Sequence, residues 1–174
     1  MYDVYQAKLL SVLDQYAEVK PNVLETIAKL RENGIKIGST TGYTDKMMEI
    51  VTRVAKENGY EPDAWFSPDA VGSKGRPYPY MVFENMKALG IDSVKKVVKV
   101  GDTISDILEG KNAGVISIGV IEGSSEMGLS QEEYEALSEE EKKAAVESVK
   151  EKFFAAGADD VIQDMGELVD LILK

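Results

Sequence analysis

The stretch Val97-Val98-Lys99-Val100-Gly101-Asp102-Thr103-Ile104-Ser105-Asp106 decides the fold. Val97 to Val100 has the length and β-branching of a buried strand, and Ile104, Ile107 and Leu108 then begin a helical pattern. Asp102 therefore stands at the carboxyl end of a strand, and Asp106 in the first turn of the following helix. In an open α/β sheet that edge is where ligands bind. Two carboxylates placed there repel unless something cationic lies between them, and a hard ion such as magnesium is the natural candidate. Acid pairs four residues apart also sit on solvated helix faces and complement a helix N-terminus. The pair gains meaning from what lies upstream.

Upstream, Ile35-Lys36-Ile37-Gly38-Ser39-Thr40-Thr41-Gly42 reads as a strand that turns small and polar at its end. Bulky residues there would block a ligand, whereas hydroxyls and a glycine offer donors and close backbone approach. Thr44-Asp45 starts a helix that runs to about Asn58, with Met47, Met48, Ile50, Val51, Val54 and Ala55 inward. Ala64-Trp65-Phe66 is a short strand. The loop Gly72-Ser73-Lys74-Gly75-Arg76-Pro77-Tyr78-Pro79 follows, stiffened by its prolines. Pro77 suits a first helical turn, which would set Arg76 at a helix N-terminus, where an arginine makes an anion ligand.

Residues 2–17 carry an apolar stripe at helical spacing, and a second helix carries Val23, Leu24, Ile27 and Leu30 before Asn33-Gly34. Beyond the acid pair, Val115 to Val120 and Ala158 to Gln163 read as strands. Ser130-Gln131-Glu132-Glu133 and Ser138-Glu139-Glu140-Glu141 have capping-box spacing, and Met165 to Lys174 ends the pattern as a helix. The acidic run from Glu132 to Glu141 reads as a solvated face. Helices alternating with strands in this way predict a doubly wound, mainly parallel α/β sheet in one domain.

The 174 residues have a net charge of −11, which argues against nucleic acid or an anionic membrane as partner. Local cations still allow a small anionic substrate. With no cysteine and no histidine, disulfides, thiol nucleophiles, zinc sites and serine–histidine machinery are excluded. No apolar run reaches membrane-spanning length, and the start Met1-Tyr2-Asp3 is unlike a signal peptide, so a cytoplasmic location is expected. Thr41, Arg76 and the acid pair on one sheet edge describe a phosphoryl site.

Three of these segments resemble, in order, the second to fourth motifs of the haloacid dehalogenase superfamily. They are Ile37-Gly38-Ser39-Thr40-Thr41-Gly42-Tyr43-Thr44, Gly75-Arg76-Pro77-Tyr78-Pro79 and Gly101-Asp102-Thr103-Ile104-Ser105-Asp106. The wording is nearest the phosphonoacetaldehyde hydrolase (phosphonatase) family, which Gly119 to Leu129 also resembles. The resemblance implies a Rossmann-like core and a magnesium-dependent hydrolase acting on a phosphorylated or phosphonate substrate. Within it, Thr41 and the Gly42 N–H would bind phosphoryl oxygens, and Arg76 would take a place usually held by lysine. Asp102 would be a direct Mg2+ ligand, and Asp106 a ligand or an orienter of metal-bound water.

The family pattern also implies a strand ending in an aspartate nucleophile, within a DxAGTT-like sequence, and a cap bearing an imine-forming lysine. Residues 1–174 match neither. The expectation is a single core domain over 1–174, with 1–20 the helix returning from the cap and 21–174 carrying motifs II to IV. It is a truncated or split phosphonatase core without its first central strand, inactive alone and prone to homo-oligomerise or to pair with a complementing chain. The alternatives are a catalytically dead phosphate- or metal-binding module and, among enzymes, a phosphatase or phosphomutase of the same superfamily.

Overall fold

Strand and helix alternate along the chain because each apolar run ends in a residue that stops it, and the next amphipathic segment begins at once. The computed structural model describes Leu10 and residues 12–174. Its strands are β1 (Gly38–Thr40), β2 (Ala64–Phe66), β3 (Val98–Gly101), β4 (Ile116–Val120) and β5 (Asp160–Ile162). Its α-helices are α1 (Val23–Glu32), α2 (Asp45–Glu57), α3 (Tyr80–Leu89), α4 (Ile104–Ala113), α5 (Gln131–Glu135), α6 (Glu139–Ala155) and α7 (Leu168–Ile172). Single 3-10 turns separate several of them. Among the described residues no helix is long and apolar enough to cross a membrane.

Every strand pair is parallel, as the helical crossovers require. Gly38 to Thr40 of β1 register with Ala64 to Phe66 of β2, Val98 to Gly101 of β3 with Ile116 to Gly119 of β4, and Ile118 to Val120 with β5. Among the described residues the sheet is in two pieces, β1–β2 and β3–β4–β5. β1 and β3 are not hydrogen-bonded neighbours. Their exposure reflects this. Residues Ser117 to Val120 of β4, which has a neighbour on each side, are buried, whereas all four residues of β3 are only half-buried.

The main core lies on one sheet face, where Ile27 and Leu30 of α1 and Leu168 of α7 meet Ile37, Ile118, Val120 and Ile162. Val98 and Val100 pack against the same group. On the other face α6 sends in Val149 and Phe153 against Ile107 of α4. Gly119 is part of that packing, because a Cβ there would stand 2.6 Å from the Phe153 ring. α3 covers β1 and β2, and α4 covers β3 and β4, so the two helices lie side by side on one face.

Local expectations hold unevenly. Both capping boxes form, each serine accepting from the N–H three residues on and each glutamate from the serine N–H. All six glutamates between 132 and 141 are exposed. The strand expected from Ile35 shrinks to Gly38–Thr40, because the Ile37 N–H donates to the Asp63 carboxylate at 2.7 Å rather than to a neighbouring strand. Pro77 does not open a helix. It lies in a turn closed by Tyr78 N–H to Gly75 C=O at 3.0 Å, after a cis Arg76–Pro77 peptide, and α3 begins only at Tyr80. The expected helix over 2–17 falls largely outside the described residues. Its described end, Leu13–Tyr16, is a 3-10 turn with Leu13 buried.

Candidate active site

The loops that leave β1, β2 and β3 meet at their carboxyl edge, and each is held by its own local bonds. After β1, the Thr41 hydroxyl accepts the Tyr43 N–H at 3.0 Å, turning the chain at Gly42. After β2, buried Ser67 donates to Asp45 Oδ1 at 2.5 Å, and Asp69 Oδ2 accepts the Asp45 N–H at 2.8 Å. These bonds tie the start of α2 to the loop that leads to Arg76. Gly75 lets that loop close: a Cβ there would stand 2.8 Å from the Pro68 ring. After β3, Thr103 caps α4, its hydroxyl accepting the Asp106 N–H at 3.2 Å and donating to Asp106 Oδ2 at 2.6 Å.

Arg76 joins these loops. Its Nη1 lies 2.6 Å from Asp106 Oδ1, and its Nη2 would stand 3.7 Å from a Cβ on Gly42. The guanidinium therefore bridges the turn after β1 and the first turn of α4. A cleft of about 640 Å³ opens between them, lined by Gly42, Arg76, Thr103, Ser105, Ser125 and Glu126. Another concavity, of about 560 Å³, lies at the opposite, amino end of β2 beside Arg53 and Lys56, away from these loops.

The electrostatics set the two acids apart. Burial, then the neighbouring Asp106 carboxylate, push the Asp102 carboxyl above its ordinary value. Burial also works against ionised Asp106, but Lys99 and Arg76 outweigh it, with further help from the Thr103 hydroxyl, and hold that carboxyl below its ordinary value. Lys20 and Arg76 pull the Asp102 carboxyl the other way but do not outweigh burial and Asp106, and a divalent cation beside it would favour its ionised form. Asp106 already has both oxygens engaged: Oδ1 by Arg76 and by Lys99 Nζ at 2.7 Å, Oδ2 by Thr103. Among the described residues no group of three acidic, histidine or cysteine side chains gathers around one metal position. Asp102 would hold a hard cation here, and as a single carboxylate would hold it weakly.

All five residues singled out in the sequence therefore come to one edge. Gly42, next to Thr41 in the chain, adjoins Arg76 from a separate loop, Asp106 pairs with Arg76, and Asp102 lies within electrostatic range of both Asp106 and Arg76. Four partners escape a reading by motif. Lys99 reaches from β3 to Thr40 Oγ1 at 2.9 Å and to Glu109 Oε2 at 3.0 Å, and Thr40 Oγ1 donates to that oxygen at 2.7 Å. Side chains, not main chains, thus join β1 to β3. The available signal was a lysine inside a β-branched run, with an acid three residues beyond Asp106. Buried Ser124 donates to the Asp102 carbonyl at 2.6 Å and anchors the turn that carries Asp102.

A family model for haloacid dehalogenase-like hydrolases matches residues 2–114, which contain all of these loops. The chain belongs to the haloacid dehalogenase-like hydrolases. It is 53% identical over 172 residues to a phosphonoacetaldehyde hydrolase from Lysinibacillus sphaericus, covering 99% of this chain and 64% of that one. It is 50% identical over 174 residues to another from Parabacteroides distasonis, covering 100% of this chain and 66% of the relative. A crystal structure of a phosphonoacetaldehyde hydrolase-like protein from Oleispira antarctica superposes with a TM-score of 0.92 at 33% identity, over 99% of this chain and 62% of that chain. The chain thus spans a little under two thirds of the length of these haloacid dehalogenase-like relatives.

Proposed function

We propose that residues 1–174 form the phosphate- and metal-binding portion of a phosphonoacetaldehyde hydrolase-like site, which releases acetaldehyde and phosphate from phosphonoacetaldehyde. The observation that carries this reading is the Arg76–Asp106 pair, set at 2.6 Å between the Gly42 turn and Asp102. The relatives at 53% and 50% identity support the choice of substrate. Thr41 and the Gly42 N–H receive the phosphoryl oxygens, and Arg76 neutralises their charge with the nitrogen that Asp106 leaves open. Asp106 holds Arg76 in place. Asp102 would be the direct magnesium ligand, and Asp106, whose oxygens Arg76, Lys99 and Thr103 already engage, would orient water there rather than bind the ion itself. Magnesium, when bound, supplies charge neutralisation at the phosphoryl group.

Phosphoryl transfer to a carboxylate requires that carboxylate in line with the leaving group, and binding groups do not replace it. Within residues 1–174 no aspartate carries the DxAGTT-like continuation. We therefore infer that this segment alone releases no acetaldehyde, and that a segment carrying both such a carboxylate and the imine-forming lysine of the cap completes the site when added in trans. Acetaldehyde release, followed by coupled NADH oxidation, tests this with and without that added segment. The 174-residue segment alone should be silent, and complementation should restore turnover. Arg76→Ala and Asp102→Ala should each lower the restored turnover at least about a hundredfold. Robust turnover by the segment alone, or restored turnover indifferent to both substitutions, overturns the reading.

A further inference from the structure

Beneath the cleft lies a group of charges that the proposed chemistry does not use. Lys99, only 10% exposed, points from β3 toward α4 and has three oxygen partners: Thr40 Oγ1, Asp106 Oδ1 and Glu109 Oε2. Glu109 is wholly buried, and among the described residues its Oε1 has no hydrogen-bond partner. The lysine stem is held in place by Gly110, where a Cβ would stand 2.9 Å from Lys99 Cβ and 3.1 Å from Cγ. A buried carboxylate with one bare oxygen is costly unless a cation compensates it. Two carboxylates, Asp106 and Glu109, thus face two cations, Lys99 and Arg76, and only Arg76 borders the cleft.

We propose that Lys99 is a positioning residue of the anion site: it neutralises Asp106 and Glu109 from below, so that the Arg76 guanidinium keeps its charge for the substrate. The inference rests on the reading of Arg76 as an anion ligand. Without Lys99, both carboxylates would draw on Arg76, and the site would present an excess negative charge to an anionic ligand. In a poorly solvated setting such a charge acts over several ångströms. In metal sites the groups that position the ligating side chains typically contribute ten- to a hundredfold in affinity or activity, and Lys99 stands in the same relation to Arg76.

The test is the affinity of the 174-residue chain for inorganic phosphate, by titration calorimetry without magnesium. Lys99→Met should weaken binding about tenfold, and Lys99→Arg should keep it within about threefold. Glu109→Gln, close to isosteric, should tighten binding severalfold because it removes the charge that Lys99 offsets. In the double variant K99M/E109Q the balance returns, and affinity should recover to within about threefold of the wild type. A residue that only braced the fold would lower the melting temperature without this reciprocal pattern. Should Lys99→Met not fold, Glu109→Gln and the charge-balanced double variant still decide the matter. Unchanged or weaker binding by Glu109→Gln, or a double variant at least tenfold weaker than wild type, overturns the proposal for Lys99 alone. Phosphate binding that is absent, or indifferent to Arg76→Gln, overturns the anion site itself and this inference with it.

Discussion

At Gly101, the last residue of β3, any side chain would collide with Asp106: a Cβ built there overlaps Asp106 Cβ and Cγ. The strand end and the first turn of α4 are packed backbone against side chain, and that contact sets the position from which Asp106 holds Arg76. Gly101→Ala should therefore destabilise the protein by about 2–3 kcal/mol through overpacking, which lowers the melting temperature by about 5–10 °C in a domain of this size. Phosphate affinity should fall with it, because Asp106 moves. Calorimetric melting and phosphate titration of the variant check both, and an unshifted melting point would show that the contact relaxes freely. The glycine before Asp102 was legible in the sequence as the break between strand and helix. Lys99 was not, for a physical reason. A lysine within a short strand reads as the solvent-facing position, and only the packing of α4 against that face turns it into a buried cation. The same applies to Thr40, whose hydroxyl bonds to residues 99 and 109 and thus to another part of the chain.

Elements with local instructions were read well. The capping boxes at Ser130 and Ser138 follow from residues within one turn of the boundary they set, and α2 begins at Asp45 as Thr44-Asp45 indicated, although Thr44 makes no side-chain cap bond. Boundaries set by distant partners were not. Asp63 shortens β1 at Ile37, and the turn from Gly75 to Tyr78 displaces the start of α3 beyond Pro77. Asp159 is another such distant fastener. It accepts from Lys111 Nζ at 2.8 Å near the end of α4 and from the Ser117 N–H at 2.8 Å in β4, so it joins the lead into β5 to two other elements. Chiefly the Lys111 bond, and then the Ser117 N–H, hold its carboxyl below the ordinary value. A folded-state value below the unfolded one stabilises the protein above the unfolded pKa, and that contribution is lost as pH falls through the folded one. Asp159→Asn should therefore be less stable than the wild type at neutral pH, by no more than about 1 kcal/mol because the pair is open to solvent. The difference should vanish in acid. Urea unfolding of both proteins between neutral pH and pH 2 checks the sign; a gap that widens in acid would contradict it.

At the scale of the whole molecule, the division of the sheet is the feature that the alternation of strands and helices could not reveal. Alternation implies parallel strands but says nothing about which of them are neighbours. Here β1 and β3 lie in separate sheets, bridged where Lys99 meets Thr40, and β3 keeps the half-exposure of an edge strand although apolar residues flank it on one face. Unpaired parallel edges with an apolar flank take up a further strand readily, whether a complementing segment or a copy of the same chain. The two outcomes separate by stoichiometry. A peptide carrying a DxAGTT-like sequence should bind one to one and, at a hundredfold excess over its Kd, add about 2.7 kcal/mol of stability, a rise of about 5–10 °C in melting temperature. It should also dissolve any self-association seen by light scattering, because peptide and second copy compete for the same edges. Self-association that persists in saturating peptide would place the contact between copies elsewhere on the molecule, and a melting temperature indifferent to the peptide would mean that the side-chain bridge from Lys99 already closes the sheet.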